Sequence, residues 1–327
     1  MTTLAIFSAT VLFALLCVWQ LVGFLVAWKF LFSDHHQLPH RETPGDRGID
    51  SLELMIPVDD THHVVGWLLT PEQRVSLGGA CIVMVHGFDS SKDKRWIFDE
   101  DANYSASMLD QGAESLWRAG FHVVAIDLRN HGDSPNNGPT TLGADESEDV
   151  LATLRFLVNN AAKFGIDPTR IGLRGESMGG ATCMIAAAKD KQNHVAALWS
   201  DSAFADAGNA IMDFMPYKGI PVIFAVPARF WLVRLAGVDL KAASPIAFLD
   251  QIDCPVFLTH SSSDSMLPTR HLDSLASADG WKIQPESWLV DGHQHNRLWR
   301  EPSYHKRQID FFRRTLAASQ QSLGRTA

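Results

Sequence analysis

A serine stands between glycines in Gly175-Glu176-Ser177-Met178-Gly179, which fits the pattern G-x-S-x-G. The apolar run Ile171 to Leu173 before it predicts a strand, and the small residues after Met178 predict a helix. A serine at a sharp strand-to-helix turn projects its hydroxyl above a sheet, where it can attack a carbonyl carbon once a base accepts its proton. We therefore predict Ser177 to be a nucleophile.

An acid and a base follow this serine in the chain order that such a nucleophile requires. Asp264 comes after the strand-like run Val256 to Thr259, and His295 comes after the run Ser287 to Val290. Because parallel strands end at one edge of a sheet, we expect the three groups to meet there. His295 would accept the serine proton and Asp264 would orient the imidazole.

Each of these two roles has a second candidate. His293 stands two residues before His295 and is the alternative base, although Gly292-x-x-His295 followed by Asn296 fits the base loop better. Asp201 also lies at the end of a predicted strand and is the alternative acid, with a capping or surface role as its other interpretation.

Main-chain amides are the predicted donors to the oxyanion that forms during acyl transfer. Val85-His86-Gly87-Phe88 ends a buried strand in a glycine turn, so the amides of Phe88 and Met178 are the candidate oxyanion hole, and His86 is expected to structure the turn. The loop from Asp127 to Ser134 is interpreted as structural rather than as a metal site. We expect neither a metal nor an organic cofactor.

Strand-like and helical patterns alternate after residue 49. Two short runs separated by Asp59, Asp60 and Thr61 predict an antiparallel hairpin, and the later apolar runs predict strands buried on both faces. The pattern indicates one α/β domain with a mainly parallel sheet, helices on both faces and an antiparallel start. The predicted strands are Ser51 to Val58, His62 to Thr70, Ala80 to Val85, Phe121 to Ile126, a strand beginning at Arg170 to Leu173, Val195 to Trp199, Val256 to Thr259 and Ser287 to Val290.

The segment 203–243 interrupts this alternation. It contains three prolines and many bulky apolar residues, among them Phe214, Phe224, Phe230 and Trp231. We interpret it as a short helical lid above the strand ends, the alternative being a segment that simply packs on the core.

The amino-terminal segment carries no formal charge from Leu4 to Trp28. As a helix it is long enough to cross a bilayer, so residues 1–32 are predicted to be an uncleaved transmembrane anchor, with a cleaved signal peptide as the alternative. Residues 33–48 then form a linker and residues 49–327 the catalytic domain. Lys29, Arg41 and Arg47 follow the span, which favours a cytoplasmic domain.

The composition is that of an ordinary globular protein, with 46% hydrophobic and 20% charged residues among 327. The net charge of -9 argues against a phosphate-binding surface, so nucleic acid is not an expected partner. Cys17, Cys81, Cys183 and Cys254 show no zinc spacing and are interpreted as reduced core or membrane residues. Nothing in the sequence indicates the oligomeric state.

Together these motifs resemble those of the α/β-hydrolase superfamily, over about Ile49 to Leu316. Within it, the chain is similar to the Bem46-like and prolyl-oligopeptidase-like serine hydrolases, some of which carry an N-terminal membrane helix. The motifs are His86-Gly87-Phe88, Asp127-x-Arg129-x-x-Gly132-x-Ser134, Gly175-Glu176-Ser177-Met178-Gly179-Gly180, Asp264-x-x-x-Pro268 and Gly292-x-x-His295.

The resemblance implies an eight-stranded sheet and hydrolysis of an ester, thioester or peptide through an acyl-enzyme. The anchor and the apolar lid favour an ester or thioester with a hydrocarbon part, from a small-molecule or lipid-like acyl substrate. Two alternatives stay open at this point. One is a serine peptidase or amidase of the same fold, and the other is a catalytically silent, membrane-anchored binding protein.

Overall fold

The computed structural model describes residues 2–32, 41–72, 77–94, 96–97, 105–237 and 239–317. Within these ranges the strands are β1 Ser51–Pro57, β2 His63–Leu69, β3 Cys81–Val85, β4 Trp96–Ile97, β5 Ser105–Ala106, β6 His122–Ile126, β7 Ile171–Glu176, β8 Val195–Asp201, β9 Val256–Ser261 and β10 Glu286–Val290.

Eight of these strands form one sheet in the order β1-β2-β6-β3-β7-β8-β9-β10, and β4 pairs with β5 separately. β2 is antiparallel to both of its neighbours, whereas β6 and all the strands beyond it run parallel. The predicted fold class, a mainly parallel eight-stranded sheet with an antiparallel start, is confirmed. The predicted strands agree with the observed ones to within a few residues, and β7 continues to Glu176, directly before the candidate nucleophile.

Helices cover both faces of the sheet. They are α1 Thr2–Leu31, α2 Glu114–Arg118, α3 Glu146–Asn159, α4 Ala161–Phe164, α5 Met178–Lys189, α6 Ala207–Tyr217, α7 Val222–Ala236, α8 Arg270–Ala276 and α9 Tyr304–Thr315. Single turns of other helical types occupy Leu109–Ala113, Pro44–Arg47, Pro245–Ala247, Leu249–Gln251 and Leu298–Arg300.

The period of two along each strand divides the core into two layers. In β3, Val83 belongs to the same buried cluster as Leu154 of α3 and Met184 of α5, whereas its neighbour Ile82 packs with Phe312 of α9. Successive side chains of a strand point to opposite faces, so a strand covered on both sides must be apolar at every position. This is why the central strands read as continuous apolar runs.

The strand register brings the candidate site loops together. Glu176 at the end of β7 pairs with Asp201 of β8, which pairs in turn with Thr259 of β9, and Ser261 at the end of β9 pairs with Val290 of β10. The loops that leave these carboxyl ends therefore start side by side.

The amino-terminal helix α1 has two different parts. From Leu4 to Val18 its side chains are exposed, whereas Ala27 and Leu31 are buried against the rest of the protein. Within the described residues, one helix, Leu4–Leu31, is long and apolar enough to cross a membrane by length and composition. A helix of this kind at the amino terminus serves as a membrane anchor or a signal sequence.

The predicted linker is described only from residue 41 onward. There, Arg41 pairs with Asp93 and Asp133, and Arg47 pairs with three carboxylates, those of Glu42, Asp110 and Glu114. Residues 41–48 thus pack on the α/β domain, and residues 33–40 lie outside the described ranges.

The predicted lid segment, 203–243, contains α6 and α7 between β8 and β9. Asp206 caps α6, because its carboxylate accepts a hydrogen bond from the Asn209 amide at 2.7 Å. Pro227 interrupts α7, since a proline cannot donate a hydrogen bond to the carbonyl four residues earlier, that of Ile223.

The four cysteines lie where the sequence analysis places them. Cys81, Cys183 and Cys254 are buried thiols, and Cys17 is exposed on α1. Burial raises the pKa of Cys254 to about 12 and raises that of the other two buried thiols as well. Neutral thiols of this kind behave as small apolar side chains.

Candidate active site

Ser177 sits at the turn between β7 and α5 with a backbone conformation that other residues rarely adopt. Its φ of 51° and ψ of -122° lie far from the helical and extended regions. The turn is held in place because the Ser177 amide donates to the Asp201 carbonyl at 2.8 Å. A strained conformation costs about 1–3 kcal/mol and persists only where the surroundings impose it.

Two glycines of the G-x-S-x-G motif make this turn possible. A Cβ at Gly175 would lie 2.3 Å from the Gly179 carbonyl oxygen, and a Cβ at Gly179 would lie 2.3 Å from the His86 carbonyl oxygen. No real side chain fits at such distances. The motif therefore reflects close backbone approach on both sides of Ser177.

The structure brings Ser177, His295 and Asp264 into one hydrogen-bonded chain. The distance from His295 Nε2 to Ser177 Oγ is 2.9 Å, and that from His295 Nδ1 to Asp264 Oδ2 is 2.6 Å. With the proton on Nδ1, the imidazole donates to the carboxylate and its Nε2 lone pair faces the serine hydroxyl. This is the arrangement in which an imidazole can accept the serine proton.

The carboxylate of Asp264 is fixed from its second oxygen. Oδ1 accepts hydrogen bonds from the amides of Met266 and Leu267 at 2.9 and 2.8 Å. Burial tends to raise the pKa of Asp264, but the neighbouring His295 and these amides outweigh it and hold the pKa below its usual value. The group thus stays ionised next to the imidazole.

A second histidine lies behind this carboxylate. His260 Nε2 is 3.5 Å from Asp264 Oδ2 and 2.7 Å from the Leu267 carbonyl oxygen. Burial lowers the pKa of His260, so its neutral form is favoured and it donates to that carbonyl. His260 therefore fixes the loop that carries the acid.

The alternative base lies elsewhere. The His293 imidazole faces Glu301, with 3.7 Å between Nε2 and Oε2, and the His293 carbonyl accepts a hydrogen bond from the Ser261 hydroxyl. Of the two histidines, His295 is the one whose imidazole contacts Ser177, and His293 faces Glu301 instead.

The alternative acid, Asp201, belongs to a buried network beneath the serine turn. Its carboxylate accepts from Tyr304 Oη at 2.6 Å and from Ser202 Oγ at 2.7 Å, and Arg174 Nη2 lies 3.7 Å away. Arg174 also pairs with Glu176 at 3.1 Å. Burial raises the pKa of Tyr304 and of Glu176, which favours their neutral forms.

The two candidate oxyanion donors flank the serine. Met178 is the first residue of α5, where helix amides have no acceptor within the helix. The turn of Phe88 lies against Ser177, since a Cβ at Gly87 would come within 3.2 Å of the serine Cβ. His86 structures this turn by contacts to the Gly87 carbonyl at 2.7 Å and the Leu128 amide at 3.0 Å.

The loop from Asp127 to Ser134 is held by internal bonds. The Lys92 ammonium lies 2.7 Å from Asp127 Oδ2 and 2.6 Å from Asp133 Oδ2, and Ser134 Oγ donates to the Asp127 carbonyl. Within the described residues no group of three or more His, Cys, Asp or Glu residues has the arrangement of a metal site.

Ser177 and His295 open onto a cavity of about 530 Å³. Its apolar wall includes Phe88, Phe214 of the lid segment and Phe30 of α1. The rings of Phe30 and Phe88 stack with centroids 4.4 Å apart. Polar and charged side chains also line this cavity. A cavity of this size suits a small ligand that has both apolar and polar parts.

Sequence reasoning did not find Phe30 or the network of Arg174 and Tyr304. Phe30 stands in a uniformly apolar helix, where no residue type distinguishes a pocket-lining position from a lipid-facing one. Arg174 does carry a sequence signal, because a charged residue inside an otherwise apolar central strand must have buried partners.

Comparison with known proteins identifies the family of the chain. The BD-FAE family model matches residues 69–278, which is more than half of the chain and includes Ser177 and Asp264. The chain belongs to the BD-FAE family. Its fold is the α/β-hydrolase fold, and the resemblance drawn from the sequence motifs is confirmed at that level.

Two curated proteins have sequences similar to this chain. The chain is 30% identical over 166 residues to the uncharacterized protein YqkD of Bacillus subtilis (strain 168), covering 48% of this chain and 50% of that one. It is 26% identical over 300 residues to a probable isoprenylcysteine alpha-carbonyl methylesterase, ICMEL1, of Oryza sativa subsp. japonica, covering 85% of this chain and 61% of that one. The chain thus spans less than two thirds of the length of these curated relatives.

The Pyrococcus furiosus esterase Pf2001 has a similar solved structure. Its TM-score is 0.65 at 21% identity, covering 85% of this chain and 95% of the esterase chain. At 21% sequence identity this structural similarity shows a shared fold.

Proposed function

We propose that this protein is a serine esterase or thioesterase that acts on a substrate with an apolar acyl part. The observation that carries the proposal is the hydrogen-bonded chain from Asp264 through His295 to Ser177, placed at the floor of a cavity with an apolar wall. Ester hydrolysis is also the chemistry given for the Pyrococcus furiosus protein and for the rice methylesterase.

In the first half of the proposed reaction, Ser177 Oγ attacks the acyl carbonyl carbon while His295 Nε2 accepts the hydroxyl proton. The Phe88 and Met178 amides stabilise the oxyanion of the tetrahedral intermediate. The carbon-to-leaving-group bond then breaks, and His295 returns the proton to the departing alcohol or thiol. An acyl group remains on Ser177.

In the second half, His295 accepts a proton from water and the resulting hydroxide attacks the acyl carbon. The ester bond to Ser177 breaks, the serine recovers its proton from His295, and a carboxylic acid leaves. Asp264 stays ionised throughout and stabilises the imidazolium that forms in each half.

We further propose that α1 is a retained membrane anchor. The support is its packing: Ala27 and Leu31 of α1 are buried, and Phe30 forms part of the cavity wall. A cleaved signal sequence would leave these contacts unmade. The cations Lys29, Arg41 and Arg47 on the domain side favour a cytoplasmic orientation, which protease protection of the domain in sealed spheroplasts would test.

The enzymatic proposal is tested with p-nitrophenyl esters of increasing acyl chain length and matched thioesters. We expect hydrolysis that depends on Ser177 and rises with chain length until the cavity is filled. Ser177→Ala should abolish turnover, whereas Ser265→Ala, which removes a nearby exposed hydroxyl that donates to Gln294, should retain it. Turnover of peptide amides but not esters, or equal turnover in Ser177→Ala, would overturn the proposal.

A further inference from the structure

Helix α7 exposes a row of apolar side chains. Val222, Val226 and Phe230, four residues apart, are 57%, 54% and 57% exposed, and the adjacent Ile223 is 64% exposed. Residues four apart lie on one face of a helix, so these side chains form a continuous stripe, here named the α7 stripe. Exposed apolar patches of this kind mark a surface that contacts another apolar phase.

The face of α7 next to the stripe packs on α1, and there one backbone carbonyl needs a donor from outside α7. Because Pro227 has no amide hydrogen, the Ile223 carbonyl lacks its helical donor, and Trp19 Nε1 of α1 donates to it at 2.6 Å. A Cβ at Gly23 would lie 2.5 Å from the Pro227 side chain. Small residues at such contacts let two helices approach closely, as in membrane helix pairs.

The contacts between α1 and α7 show that the two helices run in the same direction. Trp19 meets Ile223, Gly23 meets Pro227, and the ring of Phe24 lies edge-on to Trp231 at 5.3 Å. The amino end of α7 thus reaches furthest along α1 from the hydrolase domain, and the α7 stripe continues the exposed apolar surface of α1.

The length of α1 sets the depth of this contact. From Leu4 to Val18, where α1 is exposed, the helix rises about 22 Å, whereas a hydrocarbon core is about 30 Å thick and needs about 20 residues. The candidate span covers Leu4–Leu31, and any stretch of about 20 residues within it contains both Trp19 and Gly23. These are the residues beside which Ile223 and Pro227 lie.

The charged residues in and near α7 lie outside its amino-terminal half. The segment from Val222 to Ala228 has no charged residue, Lys218 precedes it, and Arg229 and Arg234 follow. Long cationic side chains at the edges of an apolar segment can reach the headgroup region while their stems remain in apolar surroundings.

We propose that the amino-terminal half of α7 enters the lipid bilayer beside α1, with the α7 stripe in contact with acyl chains. The occupant of this surface is lipid, because the surface is continuous with the exposed apolar surface of α1, the helix that is long and apolar enough to cross a membrane. The cavity wall formed by Phe30, Phe214 and Tyr217 lies at the junction of α1 and α6. The cavity therefore opens at the membrane surface and can admit a substrate from it; this last step rests on the proposed function.

Depth-dependent fluorescence quenching tests the insertion without reference to activity. The full chain carries one exposed cysteine, Cys17, and three buried ones. In a Cys17→Ser background, Ile223→Cys or Met55→Cys is labelled with a nitrobenzoxadiazole dye and reconstituted in vesicles of phosphatidylcholine and phosphatidylglycerol. Met55 is the matched control, since it is an apolar side chain of β1 that is 68% exposed.

We expect the label at residue 223 to be quenched by nitroxides on lipid acyl chains and shielded from aqueous iodide, and the label at residue 55 to behave in the opposite way. Iodide quenching at residue 223 equal to that at residue 55 would overturn the proposal. Shielding from iodide without nitroxide quenching would also overturn it, because the stripe would then be covered by protein, such as a second copy of this chain.

Activity separates the substrate route from the chemistry. In a variant with Val222→Ser, Ile223→Ser, Val226→Ser and Phe230→Ser, we expect the KM for a long-chain ester embedded in vesicles to rise about tenfold, with hydrolysis of soluble p-nitrophenyl butyrate within about twofold of the parent. The control is Leu52→Ser with Met55→Ser. An unchanged KM would overturn the membrane route, whereas absence of hydrolysis of either ester by the parent would instead count against the proposed function.

Discussion

Two carboxylates end neighbouring strands close to the same serine, yet their surroundings differ. Asp264, after β9, faces His295 and, through it, the cavity. Asp201, at the end of β8, is sealed beneath the turn with Tyr304 and Arg174. Both carboxylates therefore lie near strand ends. They differ because only Asp264 contacts an imidazole that faces the cavity. We infer that the first carboxylate serves the reaction and the second holds the turn that carries Ser177.

The largest expected effect comes from Asp264→Asn. The amide would donate to His295 Nδ1 and favour the tautomer with the proton on Nε2, which cannot accept the serine proton, so kcat should fall about 10³- to 10⁴-fold. Steady-state kinetics with a soluble ester measure this. Asp201→Asn is the matched control and should lose less than about tenfold; equal losses in the two variants would remove the distinction between the carboxylates.

Asp201→Asn should instead reduce stability. The change removes a buried negative charge beside Arg174, and breaking a buried ion pair costs about 3–5 kcal/mol. Denaturant unfolding of the full chain in detergent micelles, followed by circular dichroism, measures the free energy of unfolding. A value equal to that of the parent would mean that Asp201 does not support the serine turn in the way inferred.

Tyr304→Phe isolates one hydrogen bond of the same network. It removes the Oη that donates to Asp201 at 2.6 Å and accepts from Arg174 at 3.3 Å. Leaving buried partners unsatisfied costs about 1–3 kcal/mol, so the free energy of unfolding should fall by less than in Asp201→Asn. If Tyr304→Phe lowers kcat with stability unchanged, the sealed network takes part in the chemistry.

The smallest effect is expected on the cavity side, from Phe30→Ala. Removing a ring stacked on Phe88 enlarges the cavity, so the ratio of kcat/KM for long over short acyl chains should rise about three- to tenfold. Phe32→Ala, which changes a 44% exposed ring directly after the same helix, is the control. An identical chain-length profile in both variants would exclude Phe30 from the substrate wall.

The fold and the candidate triad follow from local sequence patterns. Fully apolar strands, the glycines around Ser177 and the order of Asp264 and His295 each have a physical cause that acts within a few residues. Chain order favours Asp264 over Asp201 as the acid, but both follow strands, and the packing of Tyr304 and Arg174 around Asp201 has no local sequence pattern. That packing needs contacts between residues more than 25 positions apart.

The junction of α1 with the lid segment was beyond sequence reasoning for a different reason. An apolar helix reads the same whether it contacts lipid or protein, so neither Phe30 nor the bond from Trp19 to the Ile223 carbonyl has a sequence pattern of its own. Pro227 within α7 gives an indirect signal, since the carbonyl it leaves without a donor needs a partner from another element.

Covalent labelling by a fluorophosphonate tests the central claim most directly. The reagent should phosphonylate Ser177 with loss of fluoride, and peptide mapping by mass spectrometry should find the adduct on the peptide that contains Gly175-Glu176-Ser177-Met178-Gly179, with none in Ser177→Ala. An adduct on another residue that abolishes ester hydrolysis, or full hydrolysis by Ser177→Ala, would contradict the account.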